Sequence, residues 1–140
     1  METLVHGHFL PARIHVKERP ALFERFGARW TPTVLVMDSS GVERHRIEGF
    51  LPASDFAAQL LLGLGHLAFA EQDWKEAEQR FGEVLEEHPD TEAAPEALYW
   101  KGVARYKGTG DGAALGETAR AFRSRYATSS WAKKASVWGQ

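Results

Sequence analysis

The chain contains no cysteine among its 140 residues. Disulfides, thiolate nucleophiles and Cys-based zinc sites are therefore excluded from these residues. Charge of one sign is also lacking: 17 Lys and Arg stand against 19 Asp and Glu, a net charge of −2, with both signs interspersed. A nucleic-acid-binding chain usually shows a basic stripe, and none is present, so no nucleic-acid partner is expected. No uninterrupted apolar run approaches about 18 residues, and the first residues lack the charged-then-apolar pattern of a signal peptide. The expectation is a cytoplasmic chain with no membrane partner. Nothing resembles a Ser-His-Asp arrangement, a phosphate-binding glycine loop or a carboxylate pair, so no cofactor is expected.

What is present suffices for one domain or two very small ones. Apolar residues make up 44% of the chain, enough to build a core. The organising stretch runs from Pro52 to Gln72. Phe56, Leu60, Leu64 and Leu67 recur at three- and four-residue spacing, which predicts a helix over 53–71 with one apolar face. Gly63 and Gly65 weaken that helix by about 1 kcal/mol each relative to Ala, and they let another helix come close. Strand patterns precede this helix and only helical patterns follow it. Two units sharing the helix 53–71 are expected, one over 1–63 and one over 56–140.

In the front unit, Phe9, Leu10, Ile14 and Val16 read as a strand over Phe9–Val16, irregular near Pro11. Pro20 suits the first position of a short helix whose apolar face is Leu22, Phe23 and Phe26. Gly27 ends it as a left-handed cap. Thr33–Met37 is apolar on both faces, as a buried strand is. Asp38-Ser39-Ser40-Gly41 reads as a hairpin turn, Val42–Glu48 as an edge strand, and Gly49 breaks it.

This order of elements, with Trp30-Thr31-Pro32-Thr33 before a Val/Leu strand, resembles the second half of a thioredoxin-family domain. The resemblance covers Phe9 to about Gly63. It implies a cis Thr31–Pro32 bond, with the backbone of Thr31 facing an extended substrate segment. A trans proline at a strand entrance is the plain alternative. The resemblance also places the family's Cys-x-x-Cys helix and its preceding strand upstream of Met1, with Met1–His6 as the tail of that helix. Thiol–disulfide exchange needs a thiolate, so these residues cannot carry out that chemistry. Without the intervening strand, Phe9–Val16 and Thr33–Met37 flank a gap. The two strands could pair directly, a second copy could fill the gap as a homodimer, or an upstream strand could occupy it.

In the back unit, Leu64-Gly65, Ala77, Phe81 and Pro89 fall at positions that resemble the tetratricopeptide (TPR) pattern. Asp73-Trp74-Lys75-Glu76 has the form of a capping box, and Pro89 prevents the helix from continuing. Residues from Pro89 and from Ala127 align at an offset of 38, sharing Ala94 with Ala132, Ala97 with Ala135 and Trp100 with Trp138. Helices are expected from about Glu92 to Lys107, over Ala113–Tyr126 with Leu115, Ala119, Phe122 and Tyr126 on one face, and over Ser130–Trp138 as a terminal cap. The fold class expected is α/β, a partial thioredoxin-like β-α-β-β-α unit, followed by an all-α TPR-like array.

Trp30, Thr31 and Pro32 are the candidate partner-binding residues. Trp30 reads equally as an exposed contact aromatic or as core packed on Phe23 and Phe26. His6, His8 and His15 invite a metal reading, with His6 and His8 on one face of a strand. A site needs three or four converging ligands and no acidic residue stands beside them, so they read as surface histidines and no metal is expected. No residue qualifies as catalytic. Two functions follow. One is a redox-inactive thioredoxin-like/TPR module that binds a protein or peptide. The other is the C-terminal portion of a thiol–disulfide oxidoreductase whose Cys-x-x-Cys lies upstream.

Overall fold

A computed structural model describes all residues, Met1–Gln140. The elements are α1 (Glu2–His8), α2 (Pro20–Arg25), β1 (Thr33–Met37), β2 (Glu43–Glu48), α3 (Ala53–Ala70), α4 (Trp74–Glu87), α5 (Ala93–Thr109), α6 (Ala113–Ser124) and α7 (Ser130–Ala135), closed by a 3-10 turn over Ser136–Gly139. This is a mixed α/β front followed by a helical region that is consistent with helical repeats.

The local signals before α3 produce the hairpin. Asp38 Oδ1 accepts from the backbone N–H of Ser40 at 2.9 Å and of Val42 at 3.0 Å. Gly41 takes φ +80°, and β1 and β2 pair antiparallel from Thr33 opposite Glu48 to Val36 opposite His45. A bulge then shifts the register to Met37 opposite Glu43. Val36 and Ile47 point to the face that α3 covers and form a small core with Leu60. Leu4 and Val5 of α1, with Phe9, pack at its rim.

One expected element does not form. Phe9–Val16 is irregular chain, with Leu10 98% exposed and Ile14 46% exposed. A strand exists only through its ladder. Pro11 has no N–H to give, and no backbone hydrogen bond joins Phe9–Val16 to β1. Direct pairing across the gap therefore does not occur, and the sheet has two strands. Through α3 the order is α-α-β-β-α instead of the expected β-α-β-β-α. His6 and His8 consequently lie in the last turn of α1, where residues two apart point to different sides of a helix.

α3 is the common wall. Its 18 residues reach a mean hydropathy of 1.2, a level that by composition alone suits a membrane span. Seven of them are instead buried in the fold. Gly63 and Gly65 both serve close approach, on different sides. A methyl at Gly63 would sit 2.9 Å from Val36 Cγ2, so this glycine admits a strand. A methyl at Gly65 would sit 2.6 Å from Phe81 Cδ1, so that glycine admits α4.

Behind α3 each helix packs on the next, and α7 closes on α5 and α6. The main core of 15 buried residues lies here, with Leu62, Phe81 and Val84 fully enclosed. At α4 only half of the capping box closes: Asp73 Oδ1 accepts from Glu76 N–H at 3.2 Å, while the Glu76 carboxylate accepts from Arg80 Nε at 2.8 Å. α5 runs past the expected Lys107 to Thr109 before Gly110, at φ +73°, turns it. α6 stops short of Tyr126, whose hydroxyl donates to Pro89 O at 2.6 Å. Its buried face is Ala114, Thr118, Ala119 and Phe122, rotated from the one expected through Leu115 and Tyr126. The expected helix over Ser130–Trp138 divides into α7 and the 3-10 turn.

Candidate functional site

The predicted site residues sit together on the loop that enters β1. Thr31–Pro32 is a cis peptide bond. Two hydrogen bonds hold the loop: Thr33 Oγ1 donates to Trp30 O at 2.6 Å, and Gly49 N–H donates to Pro32 O at 2.8 Å. Gly49 makes this turn at φ +87°, with Trp30 Cδ1 about 4.0 Å from where a methyl on Gly49 would lie. Trp30 is 67% exposed, so it is not core packed under Phe23 and Phe26. Thr31 and Pro32 are exposed as well. Phe50, 83% exposed, follows Gly49 on the adjoining turn and adds a second large apolar side chain in water. Sequence reasoning passed over Phe50. Its one signal was an aromatic ring outside any apolar periodicity, next to a glycine.

Charge around the loop is already paired. Arg29 lies 3.5 Å from Glu48, and Arg46 bonds Glu43 while donating to Phe26 O and Gly27 O at the end of α2. Arg46 thus fastens α2 to β2, and Glu43 holds its guanidinium pKa above the usual arginine value. Asp38 is held below the usual carboxylate range, chiefly by the Val42 N–H, and its oxygens are occupied by the turn and by Arg44. Neither group is free for acid–base work. His15 Nδ1 accepts from Lys17 N–H at 3.2 Å, and no group of His, Asp and Glu is placed so that it could hold a metal ion.

A cluster that was not anticipated lies where β2 meets α3 and α5. His45 of β2 and His66 of α3 approach with ring centroids 5.6 Å apart. His45 Nε2 donates to Gln59 Oε1 at 2.7 Å, and His66 Nε2 lies 3.6 Å from Glu96 Oε1 of α5. Burial lowers the His45 pKa, against the Gln59 hydrogen bond that raises it, and His66 adds to the lowering. The only trace of this cluster in the sequence was that His45 shares its strand face with Ile47. Its partners come from helices 14 or more residues away, which no local pattern relates.

From His66 a row of half-buried rings continues across the helical region. His66 meets Trp100 at 5.8 Å, and Trp100 meets Phe69 at 5.2 Å and Trp131 at 6.4 Å. Trp131 carries Lys134 Nζ 3.9 Å from its ring centre, and Tyr99 stacks on Trp138 at 4.7 Å. Trp100 and Trp138, the pair related by the offset of 38, are both half-buried among these rings.

Residues 2–63 match the family model of the thioredoxin-like domain, and the match ends inside α3. No curated protein and no solved structure matches the chain.

Proposed function

We propose that the thioredoxin-like domain and the helical region form a protein- or peptide-binding module, redox-inactive over these residues, with Trp30, Thr31 and Pro32 at its contact surface. The helical region is read as a TPR-like array. The carrying observation is that Trp30 and Phe50, 67% and 83% exposed, stand on adjoining turns tied by the Thr33–Trp30 and Gly49–Pro32 hydrogen bonds. Large aromatic residues on a rigid support lose little entropy on binding and make up the usual hot spots of interfaces. The row of half-buried rings over α3, α5 and α7 supports a second contact region on the array.

The test is selection of peptides from a displayed random library against the chain, followed by fluorescence anisotropy on a synthetic copy. Trp30→Ala should weaken a selected peptide about 30-fold, the loss of a hot spot worth about 2 kcal/mol. Binding unchanged by both Trp30→Ala and Phe50→Ala rules out the loop as the contact surface. Reduction of insulin disulfides by these residues is expected at background, because no thiolate is available to attack sulfur.

A further inference from the structure

The two edges of the sheet are built differently. β2 reads Glu43-Arg44-His45-Arg46-Ile47-Glu48, four charges in six residues. β1 reads Thr33-Val34-Leu35-Val36-Met37, with no charge and no proline. Charged side chains on an edge strand discourage pairing with another chain, and β1 has none. The ladder shows which groups that edge presents. Gly49 N–H bonds Pro32 O, and Asp38 N–H bonds Val42 O, so Pro32, Val34, Val36 and Asp38 turn their backbone polar groups toward β2. Thr33, Leu35 and Met37 turn theirs outward, where no other segment of the chain bonds them. A two-stranded sheet is marginal in water, and an open apolar edge is a template for one more strand.

We infer that β1 pairs antiparallel with β1 of a second copy of this chain, about a two-fold axis through Leu35. The edge is complementary to itself. The axis sets Leu35 against Leu35, Val34 against Val36 and Thr33 against Met37, with no charge facing another. Closing it makes about six backbone hydrogen bonds. The result is a four-stranded sheet in the order β2-β1-β1-β2. Both of its new outer edges are the charge-bearing β2 strands, so assembly stops at two. This interface uses the β1 edge and neither the Trp30 side chain nor the ring row; both charge variants below remove the Thr33–Trp30 hydrogen bond alike, so their difference reads the edge alone.

Sedimentation of the intact chain across a concentration series tests the pairing, with two double variants as probes. Thr33→Lys with Met37→Lys sets like charges opposite each other twice across the axis. Thr33→Lys with Met37→Glu sets opposite charges there. The dimer dissociation constant should differ between the two by about tenfold, the like-charge variant being the weaker. Leu35→Cys gives a second reading in a chain that otherwise has no cysteine. Hydrogen-bonded antiparallel partners lie about 5.5 Å apart at Cα, within disulfide reach, so this variant should cross-link on mild oxidation while Ser40→Cys, away from the axis, should not. A wild-type chain that stays monomeric at every concentration overturns the proposal. Equal dimerisation by the two charge variants, or equal cross-linking by the two cysteine variants, overturns it too.

Discussion

The stretches on either side of α3 contain similar proportions of apolar side chains and shelter them very differently. Of the 25 buried residues, only Val36 and Ile47 precede α3. Leu10, Ile14, Trp30, Val42 and Phe50 are all exposed in that same stretch, whereas from α3 onward only Tyr106 and Val137 are exposed large apolar residues. Neighbours cause the difference. Each of α4, α5, α6 and α7 packs on at least two other helices, and α3 bridges to both β1 and α5. The sheet has two strands, and α3 lies on one of its faces. Hydrophobic residues stabilise a fold in proportion to the apolar area they remove from water, so composition alone does not rank the two regions.

The contrast breaks most sharply at Phe81. It is fully buried and its ring lies against Gly65. Phe81→Ala should cost about 3–5 kcal/mol and melt α3 and α4 together, read by urea denaturation followed by circular dichroism. Gly65→Ala comes next. Alanine gains up to about 1 kcal/mol of helix propensity. Its methyl would meet an enclosed ring that cannot swing aside, and overpacking costs about 1–3 kcal/mol, so net destabilisation is expected in the same assay.

The His45 cluster gives a smaller effect, read as a slope with pH. The folded His45 pKa lies below its ordinary value of 6.5. The unfolded chain therefore binds this proton more readily than the folded one, so the contribution is fully present above pH 6.5 and is lost as pH falls through the folded value. Glu96, which faces His66 from α5, and Glu43 pull in the opposite direction and keep the slope shallow. His45→Gln should flatten the stability profile between neutral and mildly acidic pH; an unchanged profile would mean that other groups produce it. Trp30→Ala marks the lower end. A side chain this exposed should change stability by less than about 0.5 kcal/mol, so a large loss of melting temperature would show that Trp30 supports the fold after all.

Elements with signals inside their own span were legible. Asp73 caps α4, Pro89 bars its continuation, and Gly27, Gly41 and Gly49 take the positive φ that their turns need. β1 was recognisable from its uninterrupted apolar run. Phe9–Val16 also carries apolar and β-branched residues, but it includes Pro11, Arg13 and His15 and forms no ladder, because a strand needs a partner that lies elsewhere in the chain. Of the expected α6 face Ala119 and Phe122 are buried, while Ala114 and Thr118 take the places given to Leu115 and Tyr126, since Thr118 reads as polar. In the fold its hydroxyl donates to Ala114 O at 2.8 Å and Thr118 is buried.

The sequence by itself determined that these residues contain no thiol, and it determined the hairpin, the helix order and the loop that carries Trp30, Thr31 and Pro32. Each depends on composition or on residues a few positions apart. Tertiary structure decided the fate of Phe9–Val16, the exposure of Trp30 and Phe50, the open edge of β1 and the meeting of His45, His66 and Glu96. All four depend on which surfaces come together across long separations. Burial, ladder pairing and ring contacts are properties of two surfaces, and neither surface alone records its partner.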